Sequence, residues 1–279
     1  MRGSCLCGDT VWEASGAGEL VHHCHCSMCR KFHGTPFSTF GGFDEAGFRF
    51  VHRGSVRRYE SSRGNFRSFC ERCGSAVPGE AFRGLVFAPF GGFAGDPGGR
   101  PVAHIFVASK APWHEINDDL PRFDAYPPGY TDPDLIEREV PRASAGRIGG
   151  SCLCTAVAFE LTGPADRWHN CHCSRCRRGR QSPYASNLFL AADRFTWKRG
   201  EGEIASYKVP EAERFTQTFC AVCGSKVPRI NTQLGYVAIP AGSLDDDPGV
   251  RPMAHIYVDS KAAWDEISDE LPRYAENRT

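Results

Sequence analysis

Cys24-His25-Cys26-Ser27-Met28-Cys29 and Cys171-His172-Cys173-Ser174-Arg175-Cys176 each place three thiols within six residues. Each run sits among four further cysteines arranged as two pairs: Cys5/Cys7 with Cys70/Cys73, and Cys152/Cys154 with Cys220/Cys223. Seven cysteines per half divide into four and three. A zinc ion with four protein thiolates is coordinatively closed and structural, whereas one with three keeps a position for water or substrate. The spacing predicts one site of each kind in each half.

In an extended segment residues i and i+2 face the same side, so Cys5 and Cys7 can address one ion. Cys70-x-x-Cys73-Gly74 is a zinc-knuckle spacing, and Gly74 can take the left-handed backbone such a turn needs. Together they predict a closed site of Cys5, Cys7, Cys70 and Cys73, repeated by Cys152, Cys154, Cys220 and Cys223. Zinc-finger peptides gain about 10–16 kcal/mol on metal binding, so such a site would carry much of a domain's stability.

Cys24, Cys26 and Cys29, like Cys171, Cys173 and Cys176, fall at the predicted start of a helix, where thiol acidity rises. His22, His23 and His25 lie nearby, but the second copy has His169, Asn170 and His172. A histidine between the two cysteines of a C-x-C is expected to point away from their metal, which leaves an open three-thiolate site. Soft sulfur ligands select zinc and leave it receptive to a further thiol, which it would hold deprotonated. The chemistry expected is thiol addition to an electrophile, or the reverse.

The 14 cysteines could instead form disulfides, but such frameworks belong mainly to small secreted domains, and cysteines two residues apart pair poorly. The chain has 279 residues, with 33 Lys plus Arg balanced by 33 Asp plus Glu. That neutrality argues against nucleic acid or an anionic membrane as partner. No apolar stretch approaches the roughly 20 residues of a membrane span, and Cys5 follows Met1 closely, so a cytoplasmic location is expected. The sequence leaves the oligomeric state open.

An internal duplication organises the chain. Gly3-Ser4-Cys5-Leu6-Cys7 recurs from Gly150, Phe69-Cys70-x-x-Cys73 from Phe219, Ala103-His104-Ile105 from Ala254, and Leu120-Pro121-Arg122 from Leu271. The expected domains are 1–125 and 147–279, joined by a proline-rich linker, 126–146, with at most a helical turn near Asp134–Glu139. Strands are predicted at 10–14, 48–52, 55–59 and 101–107, and at 156–161, 194–197, 204–208 and 252–258. Short helices should begin at 27–31 and 174–178. Trp113 and Trp264 are expected to pack the C-terminal segments of the copies onto their sheets. The fold class is mainly β.

The ordered motifs Gly-Ser-Cys-x-Cys, His-Cys-His-Cys-x-x-Cys-Arg, Phe-Cys-x-x-Cys-Gly, Ala-His-Ile and Leu-Pro-Arg resemble the glutathione-dependent formaldehyde-activating (GFA/CENP-V) enzymes, over nearly all of both halves. The resemblance implies two tandem Mss4-like zinc-binding β domains, each with a structural zinc on the outer four cysteines and a labile catalytic zinc on the central three. It implies a carbon–sulfur lyase that joins glutathione to formaldehyde as S-hydroxymethylglutathione, with Cys24, Cys26 and Cys29, and Cys171, Cys173 and Cys176, holding the open zinc. The proton donor would be water, with His25 and His172 as weaker candidates. Arg30 and Lys31, or Arg177 and Arg178, could attract glutathione's carboxylates.

Two features depart from the family pattern. Members commonly have one domain, and the loop Phe32–Phe37, expected beside the first open site, differs from its counterpart Gly179–Tyr184. Whether both sites take one substrate is therefore open. The competing readings are a family member acting on another thiol adduct and a noncatalytic zinc scaffold that binds protein partners.

Overall fold

The computed structural model describes residues 1–131 and 133–277. It is mainly β, with two α-helices among the described residues, α1 (Ser27–His33) and α2 (Ser174–Arg180). In the first half, Glu19–Cys24 runs antiparallel to Ser38–Asp44, which pairs with Leu85–Pro89. Ala103–Ile105 joins the other edge parallel to Glu19–Cys24, setting His104 opposite His23 and Ile105 opposite Cys24. The second half repeats this with Arg167–Cys171, Ala185–Ala191, Tyr236–Pro240 and Ala254–Ile256, so that Asn170 faces His255. It adds Arg229–Asn231 and Arg273–Tyr274 at the sheet's two edges.

A smaller sheet in each half carries the first cysteine pair: Arg2–Ser4 with Val11–Ala14 and Phe48–His52, and Ile148–Ser151 with Ala158–Leu161 and Phe195–Arg199. The last pair lies at the end of a hairpin, Val56–Ser62 with Asn65–Cys70, or Ile204–Lys208 with Thr216–Cys220. Most predicted strands are present within a residue or two of their expected ends. The strand expected at 101–107 is shorter, because Phe106 turns left-handed (φ 59°) and Val107–Ser109 forms a 3-10 turn. No helix forms at 134–139. There Leu135 bridges Ser62, and the Arg138 guanidinium donates to Tyr59 Oη and to the carbonyls of Glu60 and Ser61. Asp132, in the predicted linker, lies outside the described residues.

The two halves exchange their C-terminal arms. Trp113 leaves its own half and packs against Trp168, 5.1 Å between ring centroids, in a core with Leu188, Leu190 and Ile239. Trp264 crosses the other way onto Phe90, at 5.4 Å, in the core that holds Trp12, Phe43 and Phe93. The tryptophans do pack on a sheet, but on that of the other half. Burying such a ring removes 150–250 Å² from water, so each exchange is a large stabilising contact.

Polar side chains stitch the same boundary. Lys31 crosses from α1 to Ser151 and Asp245, and Lys226 donates to the carbonyls of Phe32, Gly74 and Gly224. Burial lowers the Lys226 ammonium to about 7. Three carbonyls nevertheless require three N–H donors, which only the protonated amine has.

Candidate metal centres

The sequence brings the outer cysteines together by placing one pair at a strand end and the other in a knuckle. Cys5, Cys7, Cys70 and Cys73 converge with all sulfurs within 4.8 Å of one another, as do Cys152, Cys154, Cys220 and Cys223. Neighbouring sulfurs are 3.5 and 3.6 Å apart in the first group and 3.4 and 3.7 Å in the second. A tetrahedron of Zn–S bonds about 2.3 Å long has sulfur–sulfur edges of about 3.8 Å, so the donor set fits zinc. The crowding also splits the thiols' acidities. Hydrogen bonding to Cys5 and its neighbours pushes Cys70 far above the ordinary thiol range. Cys73 is held far below it by the other three, against the opposing effect of burial. Such a group can ionise fully only around a cation.

The central cysteines occupy the junction between strand and helix. Cys24 ends its strand, Cys26 caps α1 by accepting the Cys29 amide at 3.3 Å, and Cys29 lies one turn in. Cys171, Cys173 and Cys176 repeat the arrangement on α2, with a cap distance of 3.4 Å. Each trio again has its sulfurs within 4.8 Å. No fourth His, Cys, Asp or Glu joins either trio among the described residues, so the donor sets fit a zinc ion with one position free. Arg67 Nη2 lies 3.5 Å from Cys29 Sγ. Hydrogen bonds from Cys24 and Cys26 lower the Cys29 thiol strongly, and the Arg67 charge adds to this.

The histidine of each C-x-C turns away from the sulfurs. The backbone N–H of His25 donates to Ile105, and its Nε2 lies 2.8 Å from His104 Nδ1. His104 Nε2 in turn lies 2.9 Å from Asp118. The order fixes the protons: His104 donates Nε2–H to the carboxylate, accepts at Nδ1, and so receives Nε2–H from His25. His172, His255 and Asp269 form the same chain at 2.8 and 3.0 Å. Burial pushes His25 well below the usual imidazole range and His172 to about 3, so both are neutral at pH 7. Burial opposes ionisation of Asp118, but hydrogen bonds from His104 and the Leu120 amide outweigh it and keep the carboxylate charged. Outer partners of this kind orient the ligands that hold a metal.

The model of the glutathione-dependent formaldehyde-activating enzyme family matches residues 1–109 and again 147–260. The chain belongs to this family. A search of curated proteins finds no match. A solved structure of a Rhodobacter sphaeroides protein is 22% identical, covers 37% of this chain and 97% of its own, and has a TM-score of 0.29.

In this tandem family member the fourteen cysteines assemble into the four groups that spacing predicts. The basic residues behave differently. Lys31 is 5% exposed and committed to Ser151 and Asp245, which removes it as a carboxylate receptor. His25 and His172 are uncharged, with Nε2 engaged away from the sulfurs, so the structure does not offer them as proton donors. The loops 32–37 and 179–184 run from the open sites into the boundary between the halves: Ser38 and Ala185, which follow them, pair with Cys24 and Cys171, while Thr35 Oγ1 meets Ser182 Oγ at 3.2 Å and Phe37 meets Tyr184 edge-on. Sequence reasoning missed Asp118, Asp269 and Arg67. The first two were visible only as part of the repeated Asp-x-Leu-Pro-Arg, and Arg67, replaced by Gln217 in the second copy, carried no signal.

Proposed function

We propose that the chain is a zinc-dependent carbon–sulfur lyase-type enzyme that adds a thiol, glutathione foremost, to formaldehyde or a related aldehyde. In this reading residues 1–125 and 147–279 are two catalytic domains joined by 126–146. The observation that carries it is the pair of three-thiol clusters, each short of a fourth protein ligand beside a complete four-thiol cluster. A structural role alone would be better served by closure.

Zinc held by Cys24, Cys26 and Cys29, or by Cys171, Cys173 and Cys176, would supply Lewis acidity and a place where a substrate thiol loses its proton. The chain's own groups prepare that place. Arg67 favours the thiolate of Cys29 in the first cluster, and the His25–His104–Asp118 chain anchors the residue between Cys24 and Cys26. In the reaction the thiolate sulfur bonds to the carbonyl carbon, the C=O π pair moves to oxygen, and that oxygen takes a proton from water. The product is the S-hydroxymethyl adduct; reversal releases aldehyde and thiol.

Magnetisation-exchange NMR on 13C-formaldehyde with glutathione tests the reading. Native protein should accelerate exchange above the buffer rate, and the double variant Cys26→Ser with Cys173→Ser should return it to that rate. No acceleration by protein confirmed to hold zinc in both three-thiol sites would overturn the assignment and put the scaffold reading in front.

A further inference from the structure

The duplication allows the two open sites to be compared position by position, and three positions around the sulfurs change from apolar to polar. Met28, the residue inside the first C-x-x-C, packs against the Cys24/Cys26/Cys29 cluster; its counterpart is Arg175. Phe106 and Phe123, which pack on the same cluster, correspond to Tyr257 and Tyr274 in the second half. Three apolar groups have become one guanidinium and two phenols. Phe106 and Tyr257 are both held left-handed, at φ 59° and 58°, a conformation that side-chain-bearing residues rarely adopt. Both rings pack against their cluster from the same backbone position, and the hydroxyl is the difference between them.

Access and charge follow the same division. Cys26 is 7% exposed, and Tyr126, from the predicted linker, packs edge-on against Phe106 at 4.7 Å. Cys173 is more open, and the exposed Arg175 lies with its guanidinium 6.0 Å from the ring of Phe215, which itself packs on the Cys171/Cys176 cluster. The cation of the first site, Arg67, is not comparable: it contacts Cys29 Sγ itself and stacks on Phe32 at 5.5 Å, so it balances the sulfur charge from within. Gln217 in its place turns to the Cys73 carbonyl.

We propose that the two open sites take thiols of different chemical class: the second half an anionic thiol such as a cysteinyl peptide with free carboxylates, the first an uncharged apolar thiol. Arg175, with the Tyr257 hydroxyl, is the recognition element of the former, and Met28, Phe106 and Phe123 that of the latter. The inference rests on the reading that these clusters bind substrate sulfur.

Isothermal titration of zinc-loaded protein with glutathione, its diethyl ester and benzyl mercaptan tests it. Glutathione should saturate one site per chain, and Arg175→Met, or the ester in place of the acid, should weaken that binding at least tenfold. Benzyl mercaptan should fill one site that Arg175→Met leaves unchanged. Met28→Arg, checked for unchanged zinc content and circular dichroism, should create a second glutathione site. Two equal glutathione sites, no glutathione binding, or indifference to Arg175→Met would overturn the proposal. Selective binding without adduct formation would leave this inference standing and remove the lyase reading; adduct formation with two equal sites would do the reverse.

Discussion

Phe219 lies directly over Gly74: a Cβ added to Gly74 would fall 2.3 Å from the ring. The relationship is reciprocal, for Gly224 lies under Phe69 at 2.6 Å, and the two phenylalanines meet at 6.4 Å. Each knuckle glycine thus serves two ends, a left-handed turn that gathers two sulfurs (φ 71° and 74°) and a seat for the other half's aromatic ring. Gly74→Ala should destabilise the chain by about 3 kcal/mol or more, combining backbone strain with overpacking. Denaturant unfolding should show it as a lower midpoint of a single transition. Two separated transitions, with only the first half affected, would contradict the shared seating.

Trp264→Ala removes a 3%-exposed indole from the first half's core although the residue is encoded in the second. The expected cost is about 3–5 kcal/mol. The informative readout is where it appears: hydrogen exchange should rise at Trp12, Phe43 and Phe90. Protection lost only around the second half's sheet would show that the arm is not exchanged.

Asp118→Asn takes away the carboxylate that orients His104 and, through it, His25. Loss of an outer partner of this kind typically weakens metal binding 10–100-fold. Chelator competition followed by native mass spectrometry should show native chains holding up to four zinc ions and the variant losing one of them first. Asp269→Asn should do the same for the second trio. Unchanged zinc retention in both variants would assign the chain a packing role only.

His33 is fully buried, its Nδ1 is 2.6 Å from the Arg180 carbonyl, and burial lowers it to about 3. The folded value lies below the unfolded one, near 6.5, so between them the unfolded state binds more protons. Its contribution is therefore complete above about pH 6.5 and declines as the pH falls, by about 2 kcal/mol at pH 5. Urea titrations of native protein and His33→Gln at pH 5 and 7.5, at matched zinc content, should show a smaller acid loss in the variant. Equal losses would mean that His33 is protonated in the folded chain.

Short-range signals were readable where they fix geometry locally. The C-x-C and the C-x-x-C-Gly specify turns by themselves, and the second cysteine of each C-x-C caps its helix, so cysteine grouping and helix placement followed from spacing. Strands such as Phe48–His52 and Ile204–Lys208 announced themselves by aromatic and branched residues. Ser38–Asp44 did not, because Gly41 and Gly42 dilute its pattern; Gly41 is small so that the Phe90 ring can lie against it, a tertiary demand. The His25–His104 contact joins residues 79 apart through a parallel strand pairing that no local pattern encodes. Lys31 read as a surface cation because nothing nearby reveals that Ser151 and Asp245 await it from the other copy.

The exchanged arms bind the fates of the two copies. After a duplication, spare sequence is ordinarily free to drift, since one copy can decay while its twin keeps working. Here the plug for each core is written in the opposite copy, so erosion of either half would unseat the other. The second copy's sulfur trio could thus be retained and its surroundings altered at Arg175, Tyr257 and Tyr274, while the framework around it stayed under the guard of its neighbour.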